Sequence, residues 1–456
     1  MERVKIKTLL ENQFVYREVS IKGWVKTRRE SKEITFIELN DGSCLKNMQI
    51  LCNASLKNYE EIKKITTGSA LSIQGNLVQS PSKGQTVEID AHNIDIIFLN
   101  PDCYPLQKKR HSDEFLRMNA HLRPRTNKYG AMLRIRSELS FAVHQFFKSK
   151  DFFYIHTPII TGSDCEGAGE LFRVTTIKDE FSKSIDFSKD FFCKEASLTV
   201  SGQLSAEMIA LALGDVYTFG PTFRAENSNT SRHAAEFWMI EPEMAFCDLE
   251  KNINVAELFI KYLVDFCLNK LSSDLELFTT FVDKELSKRL ESVVSEEFIR
   301  ITHREAIDIL TKSGKKFEYP LSELSDLQSE HERFLTDIYF ERPVIVYNYP
   351  KGIKPFYMRM NDDHQTVAAM DILVPKIGEL VGGSQREDRL DVLKSRMIES
   401  GINISDYWWY LDSRTYGSVP HSGFGLGFER LLMFVTGITN IRDVIAFPRT
   451  PGSIDF

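Results

Sequence analysis

The sequence predicts an α+β chain of more than one domain: a small N-terminal β-barrel, a basic linker, and a larger unit that mixes strands with helices. Three observations carry this reading. Short period-two runs with turn signals fill residues 19–98. A three-to-four apolar repeat opens near Lys128. The 456 residues exceed what one core of ordinary size accommodates.

Taken in order, Val19–Val25 and Ile34–Leu39 alternate apolar and polar residues, and the second run ends on the turn signal Asn40-Asp41-Gly42. Met48–Leu51, Ala70–Gly75 and Thr86–Ile89 follow. Five short strands and a helix near Leu56–Ile65 fit an OB-fold, expected over residues 1–100. Such barrels bind single-stranded nucleic acid by stacking bases on aromatics. Pro101, Pro105 and Pro124 mark a hinge over residues 101–127. From Asp102 to Arg136, nine basic residues stand against three acids, a balance suited to neutralising phosphates. The remaining domain, residues 128–456, opens with a helix whose apolar face is Met132, Ile135, Leu139, Val143 and Phe146. An extended run, Phe152–Thr157, then stops at Pro158. The charged stretch 270–333 carries no catalytic pattern and reads as a helical insertion.

Composition narrows the setting. No apolar run approaches the ~20 residues of a membrane span. Met1–Leu10 lacks the apolar core of a signal peptide, so a cytoplasmic location is expected. The seven cysteines form no C-x-x-C pair, so no zinc is expected. A net charge of −7 argues against a general nucleic-acid coat and leaves the basic hinge as a local patch.

Two motifs carry chemistry. In the first, Phe223-Arg224-Ala225-Glu226 leads through a polar loop, Asn227–Ala235, to Glu236–Glu243. Strand geometry would place Arg224 and Glu226 on one face, and Phe237, Met239, Glu241 and Glu243 on another. An arginine fixed at a cleft is a donor fork for carboxylate or phosphate. The second motif is Gly423–Arg430, running into Leu431–Val435 and stopping at Gly437. Its glycines admit a ligand close to the backbone, and Arg430 lies near a helix N-terminus suited to an anion. The Gly-Lys-[Ser/Thr] ending of a Walker A loop is missing.

Together these motifs resemble motifs 2 and 3 of the class II aminoacyl-tRNA synthetases. The helix and strand before Pro158 resemble their motif 1, which builds a homodimer interface. With the N-terminal barrel, the resemblance is to the aspartyl/asparaginyl/lysyl subgroup. It implies a mostly antiparallel sheet flanked by helices. It also implies a ligase that joins an amino acid to the 3′ end of tRNA through an adenylate, with Mg²⁺ accompanying ATP. On this resemblance Arg224 and Arg430 are catalytic, and ATP is held by Arg224, Glu226, Arg232, His233, Phe237 and Arg430. Glu379 is the expected metal ligand. Asp371 is a second candidate, although its spacing to Glu379 is one residue longer than in the aspartyl branch. Glu166, Gln203, Glu207, Glu241 and Arg386 would bind the amino acid, and Arg28, Phe36 and Gln49 the anticodon.

The aspartyl enzymes carry a lysine three residues after the glutamine that Gln203 matches; here Ala206 and then Glu207 stand there. Losing a cation and gaining a carboxylate favours an amide over a second carboxylate. The resemblance is therefore to the asparaginyl branch, with L-asparagine, ATP and tRNA(Asn) as expected partners. An aspartyl-tRNA synthetase, whether or not it discriminates between tRNAs, is the alternative.

Overall fold

The computed structural model describes residues 2–12, 17–81, 84–163, 171–178, 185–228 and 230–456. Two compact units result: Met1–Ile135 with Ser273–Leu277 and Phe456, and Arg136–Ser272 with Phe278–Asp455. The first therefore extends beyond the expected barrel to take in the hinge.

In the first unit, β1 (Arg17–Ser31), β2 (Ile34–Asn40), β3 (Met48–Asn53), β4 (Ala70–Gln79) and β5 (Val87–Phe98) close a barrel in the order β1-β2-β3-β5-β4. Alternation turns Ile21, Val25, Ile37, Ile50, Ile73 and Ile89 inward, and α1 (Ile6–Asn12) and α2 (Tyr59–Ile62) add Ile6, Leu9 and Ile62 to that core. The expected turn forms at Asn40–Gly42. Gly42 takes φ +84°, and Asn40 Oδ1 accepts from its N–H at 2.8 Å. The hinge helix α3 (Asp113–Met118) is capped by the Ser112 side chain.

The basic stretch is only partly a surface. Arg123 is buried over the Tyr129 ring, 4.5 Å from its centroid. Lys128 pairs with Asp113 at 2.9 Å and Arg134 with Asp274 at 2.7 Å.

In the second unit an eight-stranded sheet runs β12-β13-β14-β15-β16-β11-β10-β6. Its strands are β6 (Phe153–Tyr154), β10 (Asp215–Phe223), β11 (Glu236–Ala245), β12 (Ile299–Thr302), β13 (Val344–Pro350), β14 (Thr366–Val374), β15 (Gly378–Gln385) and β16 (His421–Gly427). Only the outermost pairs, β12–β13 and β10–β6, are parallel. A separate ribbon joins β7 (Ile160–Thr161), β9 (Ala196–Leu198) and β8 (Arg173–Val174).

Around the sheet lie α4 (Asn127–Lys148), which starts in the first unit's sequence, α5 (Gln203–Leu213) and α6 (Leu249–Lys270). They are followed by α11 (Leu390–Glu399), α12 (Trp408–Thr415) and α13 (Phe428–Thr436). Sheet residues Val344, Val346, Val367, Ala369 and Leu373 share one core with Leu393, Met397 and Tyr410 of the helices.

The segment expected as a helical insertion is a correction. Beside α7 (Ser272–Phe281), α8 (Leu286–Ser295), α9 (His303–Lys312) and α10 (Ser329–Arg333), it supplies β12, an edge of the main sheet. Its short β-branched run was hidden between charged helices. Among the described residues, no helix is long and apolar enough to cross a membrane.

Candidate active site

The β10–β11 hairpin is antiparallel, with Phe223 opposite Glu236. Arg224 lies one residue past the end of β10, so face parity does not govern it, but its N–H still donates to Ala235 O at 3.0 Å. Two cavities open along the floor made by β11, β15 and β16. One, of about 120 Å³, is lined by Arg224, Glu226, Arg232, His233, Phe237, Glu379 and Arg430 among others. The other, of about 280 Å³, is lined by Gln203, Arg224, Glu241, Glu243, Lys354, Asp371, Glu379 and Arg386 among others. They share Arg224, Met239, Glu379 and Gly425 as a common wall. The two arginines of the separate motifs therefore meet in one cleft.

In the first cavity the Arg224 guanidinium lies 5.4 Å from the centroid of the Phe237 ring. Arg430 sits in the first turn of α13, directly after Gly427. Its Nη1 donates to the Glu379 carbonyl at 3.0 Å and carboxylate at 3.1 Å. Burial pushes the Glu379 acid up, but Arg430 and then Lys354 overcome it, and the carboxyl rests below its ordinary range. Burial holds His233 below the usual imidazole value, with the neighbouring arginines acting in the same direction. A neutral imidazole results, with Nδ1 at 2.5 Å from Thr230 Oγ1. The site thus gathers three guanidinium groups, Arg224, Arg232 and Arg430, beside the carboxyls of Glu226, Glu379 and Glu429, and the arginines are the donors that a polyphosphate needs.

The extra residue between Asp371 and Glu379 is absorbed by a β-bulge: Ile372 faces Val381, but Leu373 faces Glu379. Both acids consequently flank Gly382. A Cβ added there would meet Glu379 Oε1 at 3.0 Å and Asp371 Oδ1 at 3.4 Å. Asp371 Oδ2 is taken by Lys354 Nζ at 2.7 Å, leaving Oδ1 toward Glu379. Two carboxylates around a vacant glycine position fit a hard divalent cation that takes its other ligands from phosphate and water.

In the second cavity Arg386 Nε donates to Glu243 Oε2 at 3.1 Å, and its Nη2 bonds the other carboxylate oxygen. Both side chains are buried. Gly423 pairs with Glu243 across β16 and β11, and any Cβ there would collide with the Glu243 carboxylate. Glu241 accepts from Gly202 N at 3.0 Å and Thr218 Oγ1 at 3.1 Å, and so fixes the Ser201–Gly202 turn while still facing the cavity. Gln203 also lines it.

Glu207 is a correction: it does not line the cavity and lies fully buried behind it. Its carboxylate accepts from Arg414 Nη2 at 2.7 Å, Tyr410 OH at 2.8 Å, His421 Nε2 at 3.1 Å and Gln203 Nε2 at 3.0 Å. Burial opposes this charge, but Arg414 and His421 hold the acid far below its usual range. The carboxylate reaching the cavity beside Arg386 is instead Glu243, which was grouped on the correct face but given no role. Glu166 lies outside the described residues.

On the barrel, Phe36 is half-buried on the outer face of β2, and Gln49 Nε2 donates to Glu88 at 3.0 Å. Arg28 is a second correction. It pairs with inward-facing Ile37, and its Nε donates to Ile65 O at 2.9 Å. Arg29, its neighbour, stands opposite Phe36 and reaches Gln49 Oε1 at 3.5 Å. Counting parity from Phe36 would have selected Arg29 over Arg28.

Residues 112–451 match the family described as tRNA synthetases class II (D, K and N), and residues 19–97 match an OB-fold nucleic acid binding domain. The chain is 59% identical to the asparagine--tRNA ligase of Nitratidesulfovibrio vulgaris and 56% to that of Clostridium tetani, covering 100% of each chain in both comparisons. Among solved structures it resembles asparaginyl-tRNA synthetase from Pyrococcus horikoshii complexed with asparaginyl-adenylate. There the TM-score is 0.89 and the identity 32%, over 100% of this chain and 99% of that one. The Entamoeba histolytica enzyme, also in complex with asparaginyl-adenylate, gives a TM-score of 0.85 at 26% identity, over 100% of this chain and 99% of that one.

Proposed function

The chain belongs to the class II tRNA synthetases (D, K and N), and on that premise we propose how its cleft works as an asparagine--tRNA ligase. Asparagine is the substrate; full-length relatives at 59% identity carry that activity in their name, which sets the aspartyl alternative aside. The observation that carries the mechanism is the shared wall: Arg224 and Glu379 line both cavities.

ATP occupies the Phe237–Arg430 cavity, with Phe237 under the adenine and His233, Arg232 and Arg430 toward the γ-phosphate. Asparagine occupies the other. There Arg386 donates to the side-chain oxygen, Glu243 accepts from the amide nitrogen, and Gln203 and Glu241 shape the backbone end. The substrate carboxylate attacks the α-phosphorus and pyrophosphate leaves, giving asparaginyl-adenylate. The 3′-terminal ribose hydroxyl of tRNA then attacks the acyl carbon and AMP leaves. Arg224, at the junction, neutralises charge on the carboxylate and on the α-phosphate as it develops. Mg²⁺, held by Glu379 and Asp371, would supply charge neutralisation on the phosphates.

For the RNA, Phe36 offers a stacking face and Gln49 and Arg29 offer polar contacts to an anticodon base. For assembly, Phe141, Phe153, Tyr154, Leu213 and Phe246 are large apolar side chains left exposed on the second unit. The Ala245 N–H bond to Gly214 O brings Leu213 and Phe246 together. A second copy of the chain covering them fits the expected homodimer. A cytoplasmic location fits these substrates.

ATP–pyrophosphate exchange tests the reading. Asparagine should support it and aspartate should not, and Arg224→Ala should lower it by ~10²–10³-fold with the fold intact. Equal exchange with aspartate, or full exchange in Arg224→Ala, would refute it.

A further inference from the structure

Glu332 is an acid beside Glu379 that the chemistry above does not use. It lies on α10, inside the segment expected as an insertion. Its Oε2 accepts a hydrogen bond from the Glu379 backbone N–H at 3.3 Å. The carbonyl and carboxylate of Glu379 are held by Arg430. The backbone of Glu379 is thus pinned at its N–H by one element and at its C=O by another.

Further bonds show that this is a built support. Asp337 Oδ1 accepts from Lys376 N at 2.8 Å, and Arg333 Nη2 donates to Lys376 O at 3.3 Å. Three side chains therefore grip one tight turn, in which Lys376 takes φ +70° and Gly378 φ +84°. They reach it together because α10 runs into a π-helical turn, Phe334–Tyr339, whose Phe340 N–H bonds Leu335 O at 3.0 Å. Such turns shift side chains out of α register and recur at functional sites. Gly378 is required here, because any Cβ would strike the Glu332 carboxyl. The same helix meets the loop between β10 and β11: Arg232 Nη1 donates to Ser329 Oγ at 2.6 Å.

We propose that Glu332 is a positioning residue for the known reaction, fixing the Glu379 peptide so that its carboxylate meets the divalent cation arriving with ATP. Residues 329–339 are the brace through which it acts. The proposal rests on the ATP reading above. Burial, with the Glu379 charge adding to it, raises the Glu332 acid to about 8. Its bond to the Glu379 N–H makes it a hydrogen-bond acceptor, a role that glutamine reproduces.

The experiment compares the full-length parent with Glu332→Ala and Glu332→Gln. Calorimetry reads ATP binding without asparagine, across a Mg²⁺ series and in chelator; exchange assays then read the asparagine KM. In Glu332→Ala the Mg²⁺-dependent part of ATP affinity should fall about tenfold or more, the usual effect of losing the support behind a metal ligand. Metal-free ATP binding and the asparagine KM should stay put, and Glu332→Gln should lie within about twofold of the parent. Glu332→Asp keeps the carboxyl group but not the reach; it should behave as alanine, and replaces it should the alanine variant fail to fold. Parent-like Mg²⁺ dependence in Ala or Asp, equal damage in Gln, or equal weakening with and without Mg²⁺ would each overturn the assignment. A parent that binds Mg²⁺–ATP but shows no asparagine-dependent exchange would sink the functional reading and leave this one standing.

Discussion

Arg414→Met is expected to destabilise the second unit by several kcal/mol without touching any substrate. Arg414 and Glu207 have side chains that are 0% exposed, with Nη2 and Oε2 2.7 Å apart. At an effective dielectric constant near 20, Coulomb's law gives that pair ~6 kcal/mol. The loss is smaller, because Tyr410, His421 and Gln203 still donate to Glu207 and Arg386 lies 3.9 Å away. Breaking a buried pair from one side typically costs ~3–5 kcal/mol, since a buried charge is left behind. That is a large part of the ~5–15 kcal/mol by which a protein stays folded. Urea denaturation followed by tryptophan fluorescence measures it. The double variant Arg414→Met/Glu207→Gln removes both charges and should recover to within ~1 kcal/mol of the parent. A loss below ~1 kcal/mol in the single variant, or no recovery in the double, would refute the reasoning.

Gly423→Ala should displace the Glu243 carboxylate from Arg386, raising the asparagine KM by ~10-fold or more, the effect of ~1.4 kcal/mol, with the ATP KM unchanged; a parallel rise in both would argue for general disorder of β16. Gln49→Ala should weaken tRNA charging far more than exchange, and equal losses in the two assays would count against the barrel as the anticodon reader. Glu332→Gln should change how stability varies with pH. The parent's acid, raised to about 8, gives stability that is full below the ordinary carboxyl value and lost as pH rises through 8. The melting temperature of the glutamine variant relative to the parent should therefore climb between pH 5 and pH 8, and a constant difference would contradict the raised acid.

Local pattern made much of this molecule readable. The period-two runs became barrel strands, and the apolar repeat became α4. The face grouping Phe237, Met239, Glu241 and Glu243 lines the two cavities. Arg224 and Arg430 could be paired only through resemblance, because 206 positions separate them (430 − 224). What stayed hidden was long-range partnership. Glu207 reads as a substrate contact because it follows Ala206, where the aspartyl branch carries a lysine; Arg414 and His421, which claim it, arrive 207 and 214 residues later. Arg28 and Arg29 are adjacent basic residues that the sequence alone does not separate; the strand register, with its bulge between Val25 and Thr27, sets Arg29 opposite Phe36. Glu332 was invisible for a related reason. A charged helical stretch signals a solvated face, and nothing local says that a π-turn will fold one of its acids against a distant glycine.

The wall common to the two cavities also has a consequence for inhibition. A compound presenting a carboxamide at one end and a purine at the other, joined by a linkage that cannot be cleaved, would surrender its rotational and translational freedom once while occupying both compartments. Since Arg224 and Glu379 serve both, mutations that evade such a compound at its midpoint would impair the enzyme's own chemistry. Escape variants are therefore not expected at the junction.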